Sequence, residues 1–320
     1  MNSSTCCLVV VFNHNHSQNV PLLRRLYGSR FSHLLFLMPF CRDPQKDIIP
    51  VCESAYFFQG YLWQAHDRLL HEDCTHYVVI GDDLLLNPRL SETTIIDELG
   101  LNGESGYIKQ LKSCSDVPLQ WLMRYGNLLD QHLIPAHVFG SRQLLPPLSK
   151  YRKDVQFKNA LPDKELAEGL LRRHGVESKP LGLRNMVGFD GMVRYFPGIT
   201  RALIHALCKS KIPYPLAFGY SDFFIVPKLS FEAFCFYCGV FAAMNLFVEL
   251  AVPTSLALAV ASISTERETR WRGVEVWRPK ARAELERRTS DTSRSLDAFF
   301  EPNQLYLHPV KLSRLAGSNA

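Results

Sequence analysis

Three short runs set the strongest constraint on this chain. They are CCLVVVF (Cys6–Phe12), HLLFLM (His33–Met38) and HYVVI (His76–Ile80). Each is continuously apolar and rich in β-branched or aromatic residues, the pattern of a strand buried on both faces. Helical patterns separate them, at Pro21–Tyr27 with leucines at 22, 23 and 26, and at Tyr61–Leu70. Strands alternating with helices predict a mainly parallel α/β sheet flanked by helices. Ligands of such sheets bind beyond the carboxyl ends of the strands, so the loops after Phe12, Met38 and Ile80 belong to one rim.

The 320 residues, 47% of them hydrophobic, suffice for one large domain. The rest of the chain divides less clearly. Lys150–Lys211 is mixed and polar, and residues 111–215 read as a helical insertion, with helices at Leu161–His174 and Pro197–Lys209. The strand-like DFFIV ends at Val226, and Pro227–Phe247 reads as a long apolar helix or a pair. Thr265–Arg294 is dense in charge and reads as a gated loop or an exposed helix at Lys280–Arg288. A membrane span is not expected from Ala233–Ala261, because Glu249 and Pro253 interrupt it.

The net charge of +5 suits a phosphate-bearing ligand, or peripheral contact with an anionic membrane. No basic-aromatic module marks a nucleic-acid binder. The nine cysteines are scattered through apolar segments, as reduced buried thiols are. Cys235 and Cys238 form a C-x-x-C without a second pair at zinc-site spacing, so they read as core thiols on a helix. Met1–Val11 has no signal-peptide pattern, and a cytoplasmic location is expected.

The sharpest chemical signal is Tyr77-Val-Val-Ile-Gly-Asp-Asp-Leu-Leu-Leu-Asn-Pro88. Asp82 and Asp83 follow a buried strand, and buried carboxylates need compensation. A divalent cation bridging to a diphosphate supplies it through oxygen ligands and offsets charge on the leaving group. The alternative is a helix start with one of the two as N-cap. Glu249 stands in an apolar stretch, where a raised pKa favours proton transfer; pairing with an Arg is its alternative. Asp222, in Gly-Tyr-Ser-Asp-Phe-Phe, is a rival base or an acceptor ligand, or a turn residue. Phe12, Asn13 and His14 at the first rim loop offer an aromatic face and an amide to a nucleobase, or form a polar turn.

These segments resemble, in order, the nucleotide-sugar glycosyltransferases of the GT-A fold, especially small exostosin-like and algal-virus transferases that build polysaccharides. The Gly81-Asp82-Asp83 run stands where that family carries its Asp-x-Asp motif. Phe58-Gln59-Gly60 stands at its glycine loop beside the nucleotide sugar, Leu246–Pro253 puts Glu249 at a helix under the acceptor, and Tyr306–Lys311 puts His308 at its C-terminal metal histidine. The resemblance implies a single GT-A-like domain over 1–320, with a nucleotide-sugar half (1–110), the insertion (111–215) and an acceptor half (216–320). It implies Mn²⁺ or Mg²⁺ at Asp83 and His308, with Asp82, Gln59, Gly60 and Lys311 on a UDP- or GDP-linked donor. Glu249 would be the base of an inverting transfer to a glycan hydroxyl. A sugar nucleotidyltransferase, or a non-catalytic nucleotide- or glycan-binding protein of the same fold, are the other readings. The first of these wants a basic glycine-rich loop after strand one, and Phe12–Asn19 has neither glycine nor lysine.

Overall fold

A computed structural model describes residues 5–71, 73–116, 160–179, 214–289 and 295–315. The predicted helix at Pro197–Lys209 and most of the predicted insertion lie outside the described residues. In chain order the elements are β1 (Thr5–Val11), α1 (Val20–Tyr27), β2 (His33–Pro39), β3 (Ile48–Val51), α2 (Gln59–Leu69), β4 (Cys74–Gly81), β5 (Leu85–Leu86) and α3 (Ile95–Glu98). Then come β6 (Ser105–Ile108), β7 (Lys112–Ser113), α4 (Lys164–Arg173), β8 (Ala217–Phe218), β9 (Phe223–Pro227), α5 (Lys228–Ala243) and α6 (Val248–Ala259). The last are β10 (Ser262–Ser264), β11 (Arg272–Glu275), α7 (Pro279–Thr289), β12 (Gln304–His308) and α8 (Leu312–Leu315).

A seven-stranded sheet in the order β10-β6-β9-β4-β1-β2-β3 forms the centre. Its strands are parallel except β9, which runs against both β4 and β6. This is the α/β class expected from the sequence, a mainly parallel sheet flanked by helices. Side chains alternate across it as the period of two requires. Leu8, Val10, Val78 and Ile80 join the core under α1, whereas Cys7, Val9, Tyr77 and Val79 join the core under α2, α5 and α6. Both faces are covered, which is why β1 and β4 read as unbroken apolar runs. β11, β12 and β5 form a second sheet, and β7 pairs with β8.

The order places the topological switch between β1 and β4, whose carboxyl ends are level (Val11 opposite Gly81). The antiparallel β9 has the opposite effect on its own flanks. It starts at this rim and ends at the far one, so α5 rises back over about 24 Å. A turn at Asn245, with φ of 53°, then reverses the chain into α6 at the rim. Gln59 is buried and donates to the Leu246 carbonyl at 2.8 Å, clamping that turn. Cys235 and Cys238 are free and buried in α5, as the core-thiol reading requires. Among the described residues no helix is long and apolar enough to cross a membrane.

α6 contains Pro253. A proline has no N–H for the carbonyl four residues back, which here is that of Glu249. The freed carbonyl accepts from Gly219 N at 3.1 Å. Thr254 Oγ1 accepts from Ala217 N at 3.0 Å, and Ser221 Oγ donates to the Val248 carbonyl at 3.3 Å. The loop before β9 is thereby laced to the start of α6. Gly219 permits the approach, since a Cβ there would sit 2.5 Å from the Gln110 carbonyl oxygen and 3.2 Å from Pro253 Cβ. A backbone oxygen cannot swing aside. Gly219→Ala is therefore expected to destabilise the protein by about 1–3 kcal/mol, the usual cost of overpacking, read as a lower denaturation midpoint.

Candidate active site

β1 and β4 deliver Asn13 and the Asp82–Asp83 pair to the switch point. No helix follows the pair. Residues 82–83 form a turn closed by Leu84 N donating to the Gly81 carbonyl at 3.1 Å, and β5 comes next, so the helix-cap alternative is excluded. Asp82 N donates to the Val11 carbonyl at 2.9 Å, and the Asp82 carboxylate accepts from Asn13 N at 3.1 Å. Asp82 is 4% exposed. Burial pushes its carboxyl up to about 7, with the Asp83 charge adding and the Asn13 amide opposing.

β5 and β12 bring together segments about 220 positions apart. Leu307 pairs with Leu85 and Tyr306 with Leu86, so the next residue of β12, His308, meets the Asp83 turn. Val310 N donates to the Asp83 carbonyl at 2.7 Å and fixes that register. The buried His308 places Nε2 3.1 Å from Asp83 Oδ1 and 4.0 Å from Asp222 Oδ2. Burial alone would lower its pKa. The bond to Asp83 and the charges of Asp83, Asp222 and Glu275 outweigh burial and raise it. Asp222 enters from β9, its carbonyl accepting from Gly81 N at 3.0 Å. Its carboxyl is also raised, by burial first and then by Asp83, against the pull of His308.

These groups border a cleft of about 710 Å³. Asn13, Asp82, Asp83, Ser221, Asp222 and Glu249 line its acidic and polar side, and Arg282 and Lys311 line another part of the wall. Glu249 sits in the first turn of α6. Burial, reinforced by Asp222, pushes its carboxyl up to about 8. Lys311 pairs with Glu286 on α7 at 3.0 Å, and Arg282 reaches the same carboxylate at 3.5 Å. One glutamate thus holds both cations at the cleft. His14, Tyr56, Phe58 and Phe247 add ring surface.

Three residues expected at a donor site lie elsewhere. Phe12 is fully buried, its amide donating to Leu37 at 2.9 Å and its ring edge-on to Phe36, so no aromatic face meets the cleft. Gly60 lies inside α2 rather than in a loop. Its missing side chain admits Ala242 of α5, whose Cβ would be 3.0 Å from one placed there. Gln59 clamps the α5–α6 turn and does not line the cleft. Conversely, Ser221, Tyr56, Phe247 and Arg282 line the cleft without having been singled out by any motif. Only the charge density of Thr265–Arg294 hinted at Arg282.

Among the described residues no group of three or more His, Cys, Asp or Glu side chains is arranged to hold a metal. Asp83 and His308 do face one another, and a carboxylate with an imidazole is a donor set that suits a divalent cation completed by phosphate oxygens and water. The residues fit such an ion as a partial ligand set.

No family model and no curated protein matches this chain. Among solved structures it is similar to core-mannan synthase A from Aspergillus fumigatus in a Mn/GDP form, with 10% identity and a TM-score of 0.34 over 83% of this chain and 73% of that one. A likeness at that level assigns neither an activity nor a ligand here.

The buried Asp82 has a consequence for stability. A carboxyl that holds its proton more tightly when folded makes the native state bind more protons than the unfolded one. Stability is then lost as pH rises from an unfolded pKa of about 3.9 through a folded pKa of about 7. Asp82→Asn removes the charge and keeps an acceptor for Asn13. In EDTA at pH 8 the variant should be more stable than the parent by about 1–3 kcal/mol, and the gap should close by about pH 4. Urea melts at the two pH values measure it.

Proposed function

We propose that this chain is a metal-dependent glycosyltransferase that moves a sugar from a UDP- or GDP-linked donor to a hydroxyl of a glycan acceptor. The single observation that carries the reading is the composition of the switch-point cleft: Asp82, Asp83, Asp222 and Glu249 share it with Arg282 and Lys311, and His308 backs Asp83. A cleft with both signs of charge at a strand-end crevice suits a ligand that is itself anionic and travels with a cation.

In this reading Asp83 and His308 would hold a divalent cation, Mn²⁺ or Mg²⁺, which would supply positive charge against the departing diphosphate. Arg282 and Lys311 bind that diphosphate, the first through its guanidinium N–H groups and the second as a point charge. Asn13 and Asp82 contact the donor near the rim of β1, and His14 or Tyr56 takes the place expected of Phe12 beside the base. Glu249 accepts the proton of the acceptor hydroxyl as its oxygen bonds to the anomeric carbon, while the carbon–oxygen bond to the diphosphate breaks and its electron pair leaves with the phosphate. The anomeric configuration inverts. Support for Glu249 over Asp222 comes from position: Asp222 faces His308, whereas Glu249 stands at the helix start with no cation paired to it among the ion pairs of the described residues. A carboxyl with a pKa of about 8 is a competent base near neutral pH.

Thermal shift with UDP- and GDP-sugars, each with and without Mn²⁺, tests the reading. The correct donor at about a hundred times its Kd should add about 2.7 kcal/mol of stability. The Mn²⁺-dependent part should vanish in Asp83→Asn. No shift with any nucleoside diphosphate in the presence of Mn²⁺ would refute the proposal. For Glu249, kcat/KM should rise with pH below about 8 and level above it, because the base works ionised. Glu249→Gln should cost about 10²- to 10⁴-fold in kcat, with donor binding retained.

A further inference from the structure

The central sheet divides the walls of the cleft. Leu285 of α7 and Val310 and Leu312 of the C-terminal segment pack into the core on the α1 face of the sheet, so Arg282 and Lys311 stand on that side. Phe58 and Val248 pack into the core on the other face, with Phe247 against it. The wall that carries Tyr56, Phe247 and Glu249 therefore belongs to the side of α2 and α6. Asp82, Asp83 and Asp222 lie between, at the strand ends. One wall is cationic, and the other carries rings and a single acid.

The aromatic wall is fixed by its backbone. Ser54 Oγ accepts from Tyr56 N at 3.4 Å and starts the 3-10 turn Ala55–Phe57. Gln59, three residues after Tyr56, donates to the Leu246 carbonyl at 2.8 Å, which brings that turn beside Phe247. The two rings lie 6.5 Å apart, tilted by 40°. Tyr56 is 45% exposed, so ring surface remains for a ligand. A diphosphate finds no counter-charge on this wall, since negative π faces and Glu249 both oppose it. A neutral sugar ring suits it better. Its C–H bonds meet the π face, and its hydroxyls turn toward the polar strand ends. A nucleobase would stack here only if the nucleotide crossed the acids from the cationic wall.

We propose that Tyr56 and Phe247 form the acceptor subsite, on which a neutral pyranose ring stacks by its C–H face and presents a hydroxyl to Glu249. Of the two rings offered to the nucleobase, His14 then remains. The assignment rests on the reading of Arg282 and Lys311 as partners of the diphosphate and of Glu249 as the base. Truncating an aromatic anchor of this kind costs about tenfold or more in affinity.

The test uses the full chain with UDP, GDP and their sugars in calorimetry with Mn²⁺. Saturation-transfer NMR with Mg²⁺ and UDP or GDP then reads a panel of methyl pyranosides: both anomers of glucose, galactose, mannose and xylose. In the unaltered protein at least one glycoside should take up saturation chiefly at its ring C–H protons. Tyr56→Ala should weaken that glycoside about tenfold or more and leave nucleotide affinity at the parent value, whereas Tyr56→Phe should bind it as the parent does. Phe247→Leu keeps apolar bulk, loses the ring and should weaken it as well. If Tyr56→Ala instead weakens UDP or GDP, or only their sugars, the ring serves the donor; the acceptor subsite is overturned and the transferase reading stands. If a nucleotide binds and no glycoside does, the subsite is refuted on the unaltered protein, so the test survives a Tyr56→Ala variant that does not fold. If no nucleotide binds with Mn²⁺, the transferase reading beneath it fails.

Discussion

The reversal of β9 between β4 and β6 governs the cleft. In a sheet made only of parallel strands, the residue entering a strand lies at the opposite rim from the residue leaving its neighbour. Because β9 is antiparallel, the residues that enter it stand where β4 ends. Asp222 thereby meets Gly81 through a backbone bond of 3.0 Å and faces Asp83 across His308. The same reversal sends α5 upward and turns the chain at Asn245, so α6 begins at the rim with Glu249 in its first turn. Residues more than 160 positions apart in the chain share one site because one strand runs the other way.

The electrostatics of that site oppose its stability. Asp82, Asp222 and Glu249 are all pushed up by burial, and in each case a neighbouring carboxylate adds to the effect. No folding requirement explains such crowding, since an apolar lining would be cheaper to bury. The fold tolerates it by surrounding the acids with backbone donors and fixed supports: Asn13 N on Asp82, His308 between Asp83 and Asp222, and the Pro253–Gly219 contact under Glu249. Pro253 would interrupt an ordinary helix, yet here the carbonyl it leaves free becomes the anchor for the loop that carries Tyr220 and Asp222. A cationic ligand would relieve the same repulsion, which links the electrostatic cost of the acidic cleft to the affinity proposed for it.

Much of the central sheet was legible in the sequence because strands buried on both faces are written as unbroken apolar runs. β1, β2, β4 and β9 were all visible that way; α1, α2 and α5 were read as helical stretches between them, and α7 as one of two readings of a charged segment. The second sheet was not. β5 has two residues and β11 has four, too few for any period to emerge, and the pairing of β5 with β12 joins segments about 220 positions apart. Site residues followed the same division. The Asp82–Asp83 pair was conspicuous because acids seldom follow such a strand. Arg282 had no signature, since its place at the cleft comes from what packs beside it. Phe12 and Gly60 were misplaced for a local reason. The strand ladder continues through the Phe12 amide and turns its ring inward, and α2 begins before Gly60, so a residue that looked like a loop glycine became a contact between helices.

The two acids of the pair differ although they are adjacent. Asp82 is bound back to β1 by its own amide and by the amide of Asn13, which makes it part of the rim of the first strand. Asp83 is tied instead to the C-terminal segment, through His308 on its side chain and Val310 on its carbonyl. The turn that joins them therefore bridges the first strand and the last. A ligand that contacts both acids would couple those two ends of the chain. Any displacement of β12 would separate His308 and Lys311 from the fixed Asp82, opening the cleft between one acid and the other. The pairing of β12 with the two residues of β5 that directly follow Asp83 is what opposes that separation, and it explains why so short a strand is completely buried.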